Sequence, residues 1–114
     1  PLDLPAFTRR LACARAGIFE APEGDWAQAL ELAAALPEEM LGPFLLVARA
    51  ARDGQPCPSD QAIARTYGTS SMGRVKRLLG YIEGRELFVC RVDLAGKRSI
   101  AIPHLGWTTA AEAA

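Results

Sequence analysis

The sequence predicts a mainly helical fold with one small antiparallel β-hairpin. Three observations point there. Apolar residues recur every three or four positions through most of the chain. One run of β-formers, Leu87–Asp93, is followed by Leu94-Ala95-Gly96-Lys97 and a second alternating run, Arg98–Pro103. Half of the 114 residues are hydrophobic, enough for a core without metal or disulfide staples.

The elements follow in order. Phe7, Leu11, Ala14 and Ile18 mark a first helix over residues 2–18, which Ala21-Pro22-Glu23-Gly24 terminates. Asp25 caps a second, Ala-rich helix over Trp26–Leu36, with Trp26, Leu30, Ala33 and Leu36 on one stripe. Pro37 opens a third, which Gly42-Pro43 divides. Phe44, Val47, Ala48 and Ala51 line its second part, and Asp53-Gly54 ends it. Gln55–Pro58 is an extended connector.

The pattern then tightens. Ser59 caps a short helix, Asp60–Tyr67, with Ile63, Ala64 and Tyr67 inward. Gly68-Thr69-Ser70 makes a turn, and Ser71 caps a helix running from Met72 to about Glu83. Met72, Val75, Leu78, Leu79 and Ile82 give that helix the clearest amphipathic stripe in the chain. The hairpin follows, with Ile100 and Ile102 on one face of its second strand and Ser99 and Ala101 on the other. Thr108–Ala114 is a tail expected to form a turn or two of helix or to be disordered.

Composition narrows the function classes. The chain opens on Pro1, with no signal-peptide pattern, and no apolar run is long enough for a membrane span. Cys13, Cys57 and Cys90 are odd in number, widely spaced and lack a CxxC pair, which argues for a reducing, cytoplasmic setting and small buried hydrophobes. His104 is the only histidine and has no nucleophile in a recognisable motif. No phosphate loop, dinucleotide fingerprint or metal-ligand cluster appears. The chain is therefore read as not an enzyme, with no cofactor. Net charge is zero, but unevenly spread. Residues 1–48 carry three basic against seven acidic side chains, and residues 49–104 carry ten basic against five acidic. A local positive surface steers a polyanion whatever the total charge.

Two helices joined by a Gly-containing turn and followed by a hairpin spell a winged helix-turn-helix, here with extra N-terminal helices. Val75, Leu78, Leu79 and Ile82 supply the packing face of the second helix. Arg74, Lys76 and Arg77 fall mostly off it, placed for base edges or phosphates. Thr69, Ser70 and Ser71 can donate to a phosphate at the helix N-terminus. Lys97 and Arg98 sit at the hairpin, where a basic side chain can enter the minor groove, and Arg91 can reach the flanking backbone. Trp26 and Trp107 are expected as packing anchors.

On these residues the segment Ser59–Ile102 resembles the winged helix-turn-helix of MarR-type transcription regulators. The likeness lies in Ala64-Arg65, Gly68, Ser71, Val75-x-Arg77-Leu78, Ile82-Glu83, Leu87 and Asp93…Lys97-Arg98. It implies that Asp93 orients Arg98 into the minor groove, and that Met72, Gly73, Arg74, Lys76 and Arg77 face the major groove. Met72 and Gly73 offer no side-chain donors there. The family's long C-terminal helix has no counterpart after His104, which moves an expected homodimer interface to the N-terminal helices. The resulting division is residues 1–42 for packing and dimerisation, 43–106 for DNA binding and 107–114 as tail. The expected function is sequence-specific binding of double-stranded DNA in transcription regulation. A winged-helix protein-interaction module and a replication or partition protein are the alternatives. A small-molecule effector is conceivable, but no residue points to one.

Overall fold

The computed structural model describes residues 25–114, so the helix expected over residues 2–18, the break at 21–24, Cys13 and most of the expected dimer surface lie outside the described residues. Those described form four α-helices and a small antiparallel sheet. Helix α1 spans Asp25–Ala33, α2 Leu41–Asp53, α3 Asp60–Tyr67 and α4 Met72–Gly84. None is long and apolar enough to cross a membrane.

Helix α1 buries Trp26, Ala29, Leu30 and Ala33. A 3-10 turn at Glu38–Met40, entered through Pro37 in an extended conformation, leads into α2. The expected division at Gly42-Pro43 does not occur: α2 begins at Leu41 and runs through Pro43. Proline is tolerated there because backbone N–H groups in a first helical turn have no intrahelical acceptor to lose. Helix α2 is the centre of the core, with Phe44, Leu45, Val47 and Ala48 fully buried. Phe44 stacks on Phe88, ring centroids 5.3 Å apart and planes within 7° of parallel. Gly54, at φ 64°, ends the helix, and Gln55 N–H closes back on the Ala50 carbonyl at 2.8 Å.

Strands β1 (Val89–Val92) and β2 (Lys97–Ile102) form the hairpin, with Val92 opposite Arg98 and Val89 opposite Ala101. The tail differs from expectation. It is neither helix nor disordered, but returns along the other edge of β2 as β3 (Trp107–Thr108) and β4 (Glu112–Ala113). Between them, Thr109 accepts the Ile100 N–H at its hydroxyl (3.0 Å), and Ala110 bridges Pro56. The tail also reaches the connector before α3. Cys57 N–H donates to the Ala110 carbonyl at 2.9 Å, and Asp60 N–H to the Ala114 carbonyl at 2.8 Å. The open edge of β2 supplies backbone partners that outweigh the helix propensity of an Ala-rich segment. Trp107 meets Trp26 edge-to-face at 5.9 Å, so both tryptophans pack as expected.

The end of α4 carries a strained residue. Arg85 caps the helix, Leu87 N–H returns to the Ile82 carbonyl at 3.2 Å, and Glu86 between them holds φ at 63°. Glycine usually occupies that position of the motif, because a Cβ there crowds the following carbonyl by about 1–2 kcal/mol. Gly84 lies two residues too early to serve. Glu86→Gly should raise stability in urea titration by about 0.5–1 kcal/mol, the relief being partly offset by a freer unfolded chain. A loss of stability would show that Glu86 makes contacts that outweigh its strain.

Candidate nucleic-acid interface

Local chemistry builds the turn between α3 and α4. Ser59 Oγ accepts the Ala62 N–H at 3.1 Å and so starts α3. Gly68, at φ 82°, ends it, with Thr69 N–H returning to the Ala64 carbonyl at 2.9 Å. Thr69 Oγ1 accepts the Ser71 N–H at 3.1 Å, and Ser71 Oγ accepts the Arg74 N–H at 3.2 Å. These bonds leave both hydroxyl protons able to donate outward, and Ser70 is exposed beside them.

Helix α4 is divided by its own periodicity. Val75, Leu78, Leu79 and Ile82 are buried, whereas Arg74, Lys76 and Arg77 are exposed. Its only acidic residue, Glu83, lies at the far end and accepts the Cys90 N–H at 2.8 Å. Arg74 is not free-swinging: its guanidinium lies over the Tyr67 ring at 5.2 Å. Tyr67, expected in the core, is half-buried and presents its ring face to Arg74. The structure thus brings Thr69, Ser70, Ser71, Arg74, Lys76 and Arg77 together on one turn and the first half of one helix.

The hairpin departs from expectation. Asp93 and Arg98 do not pair. Asp93 Oδ1 accepts the N–H groups of Ala95 and Lys97, both at 2.9 Å, and so closes the turn. Arg98 points inward and is 8% exposed. Its guanidinium donates to Asp60 Oδ1 and to the Pro58 carbonyl, each at 2.7 Å, while its Nε is buried without a partner. Burial alone would lower its pKa. The Asp60 hydrogen bond, with Cys57 adding to it, instead holds the cation above its ordinary value. Arg98 is therefore the clasp between β2 and the start of α3, and offers nothing at the hairpin tip. Lys97 and Arg91 remain exposed on the hairpin, Arg91 on its outer face opposite Ser99.

No family model, curated protein or solved structure matches this chain.

Sequence reasoning missed Asp60 as a partner, since 38 residues separate it from Arg98. It also misplaced Arg98, although strand parity carried the signal. Arg98 is two and four residues from Ile100 and Ile102, and so shares their inward face. Cys57 and Cys90 are free thiols. Burial, with Glu83 adding and Arg98 opposing, pushes the Cys90 pKa up to about 11. Its neutral thiol is favoured by the fold; that stabilisation is complete below about pH 9 and lost as pH rises through about 11. Cys90 should alkylate slowly at neutral pH in the native protein, faster as pH climbs. Rapid modification at pH 7 by iodoacetamide would contradict this. Among the described residues no group of three His, Cys, Asp or Glu could hold a metal ion.

Proposed function

We propose that this chain is a sequence-specific double-stranded DNA-binding regulator of winged helix-turn-helix, MarR-like type. On this reading α4 lies in the major groove, with Arg74, Lys76 and Arg77 reaching base edges and phosphates. Thr69, Ser70 and Ser71 donate to a phosphate beside the helix N-terminus. The β1–β2 hairpin is the wing, with Lys97 and Arg91 toward the duplex and Asp93 shaping the turn. A homodimer through the N-terminal helices places two such helices on two half-sites.

One observation carries the reading. The exposed half of α4 nearest the turn holds three cations and no acid, while its opposite face is fully engaged in the core. Such a helix has no internal use for those charges, and Tyr67 holds one of them in place. Asp60, the one carboxylate of α3, is already paired with Arg98. Among the described residues no carboxylate forms an ion pair with Arg74, Lys76 or Arg77.

The test is retention of random-sequence duplex followed by sequencing of the bound fraction. Binding should weaken steeply with salt, the log–log slope being about −0.9 per phosphate contacted. An enriched, repeated half-site is expected. Failure to retain duplex at low salt would reject the reading in favour of a protein-docking role.

A further inference from the structure

The outermost end of the hairpin is aliphatic, and it is rigid. Leu94 is fully exposed. Val92 lies on the strand face that further along the hairpin meets the core, yet it is 68% exposed, so the β1 side of the distal hairpin overhangs the body while Arg98 opposite it is clasped to α3. The turn between them is closed by its own hydrogen bonds. Gly96 N–H donates to the Asp93 carbonyl at 3.0 Å, and Asp93 N–H to the Lys97 carbonyl at 2.9 Å. Asp93 Oδ1 takes two further amides, and Gly96 sits at φ 79°, where a Cβ would be strained.

These bonds leave the tip little to offer by hydrogen bonding. Arg98, the guanidinium nearest the turn, is pointed inward against Asp60. What projects is the Leu94 side chain and the Ala95 methyl, with the exposed cations Lys97 and Arg91 behind them. An aliphatic knob backed by cations matches the chemistry of a stacked base step between two phosphate strands. Aliphatic side chains can wedge between base pairs from the minor groove, unstacking them and bending the duplex by about 20–90°.

We propose that Leu94 is such a wedge, so that the protein bends the DNA it binds, an inference that rests on the duplex-binding reading above. Lys97 and Arg91 hold the flanking phosphates, and Leu94 opens the step between them. The cost of opening is lowest at pyrimidine–purine steps, so the tip selects a TA or CA/TG step by deformability, without a base-specific hydrogen bond.

The experiment uses the whole chain and a short A·T-rich duplex with one central TA step. The duplex carries a donor and acceptor dye at its ends and 2-aminopurine beside the step. Binding is read by anisotropy, bending by energy transfer and unstacking by 2-aminopurine brightness. The native protein should bring the ends closer and brighten 2-aminopurine several-fold. Leu94→Ala should lose both signals when compared at protein concentrations that saturate the duplex by anisotropy, whatever its affinity. Leu94→Met should retain them. Binding without either signal, or full signals from Leu94→Ala, overturns the wedge and leaves duplex binding intact. Absence of duplex binding in the anisotropy arm removes the underlying reading instead. Leu94-dependent flotation with phosphatidylglycerol vesicles, without duplex distortion, would assign the tip to a membrane surface and overturn the wedge.

Discussion

Arg98→Ala is expected to destabilise the fold by about 3 kcal/mol, a large part of the roughly 5–15 kcal/mol that holds a domain of this size together. The change removes the cation from Asp60, whose side chain is only 23% exposed, and leaves the Pro58 carbonyl with only the weak Cys57 thiol as donor. Neither group can be rehydrated fully while β2 stays paired to the tail on that side. The expected fall in midpoint is about 10–20 °C by thermal unfolding. Added salt should not mimic it, because a buried pair is poorly screened. Asp60→Asn keeps an acceptor for the guanidinium but strands its charge, so it too should destabilise. Arg98→Met with Asp60→Leu should be more stable than the sum of the two single changes implies, by about 1 kcal/mol or more. An Arg98→Ala protein within about 0.5 kcal/mol of native would mean that this pair behaves like an ordinary surface contact.

That clasp also shows what the sequence could and could not reveal. Helices α3 and α4 start and stop where short-range chemistry says they should. Ser59 and Ser71 cap them, Gly68 supplies the left-handed turn, and Val75, Leu78, Leu79 and Ile82 define the buried stripe. All of these signals act over a few residues. The partner of Arg98 is set by which strand lies beside which helix, and local spacing holds no record of that. The expected Asp93–Arg98 pair assumed that neighbours in a hairpin interact. Asp93 instead satisfies its own turn, and strand alternation sends Arg98 to the other side of the sheet.

The tail and Glu86 were obscured for different reasons. Thr108–Ala114 is rich in alanine and has no strand alternation, so its local preference is helical or none. It becomes strand because β2 and the connector at residues 55–60 offer an unpaired edge on its path. Helix α4 ends at Gly84, close to the expected Glu83. The backbone reverses two residues later, at Glu86, because Leu87 and Phe88 must enter the core from that point. Of the expected contact residues, those on α4 and its preceding turn fall on one exposed surface. On the hairpin only Arg91 and Lys97 keep exposed cations, since Asp93 and Arg98 serve the fold.

Replacing Arg74, Lys76 and Arg77 together by alanine should leave the fold intact and lower specific duplex affinity by about a thousandfold or more. The fold survives because all three side chains are exposed and none packs in the core. The size follows from one or two base contacts at about 1–3 kcal/mol each, with one or two phosphate contacts added. The single changes should separate these roles. Arg74→Ala should reduce discrimination between the selected site and random duplex, since Arg74 lies nearest the helix N-terminus and is steadied over Tyr67. Tyr67→Leu should give a smaller loss in the same direction, about two- to fivefold, by freeing the guanidinium rather than removing it. Lys76→Ala and Lys97→Ala should weaken all sequences alike and flatten the salt slope by about 1 each. A titration in which the triple variant binds like the native protein would remove α4 from the interface, whatever the hairpin does. Loss of affinity with an unchanged salt slope would mean that the three cations act through one another or through the fold, and not on phosphates.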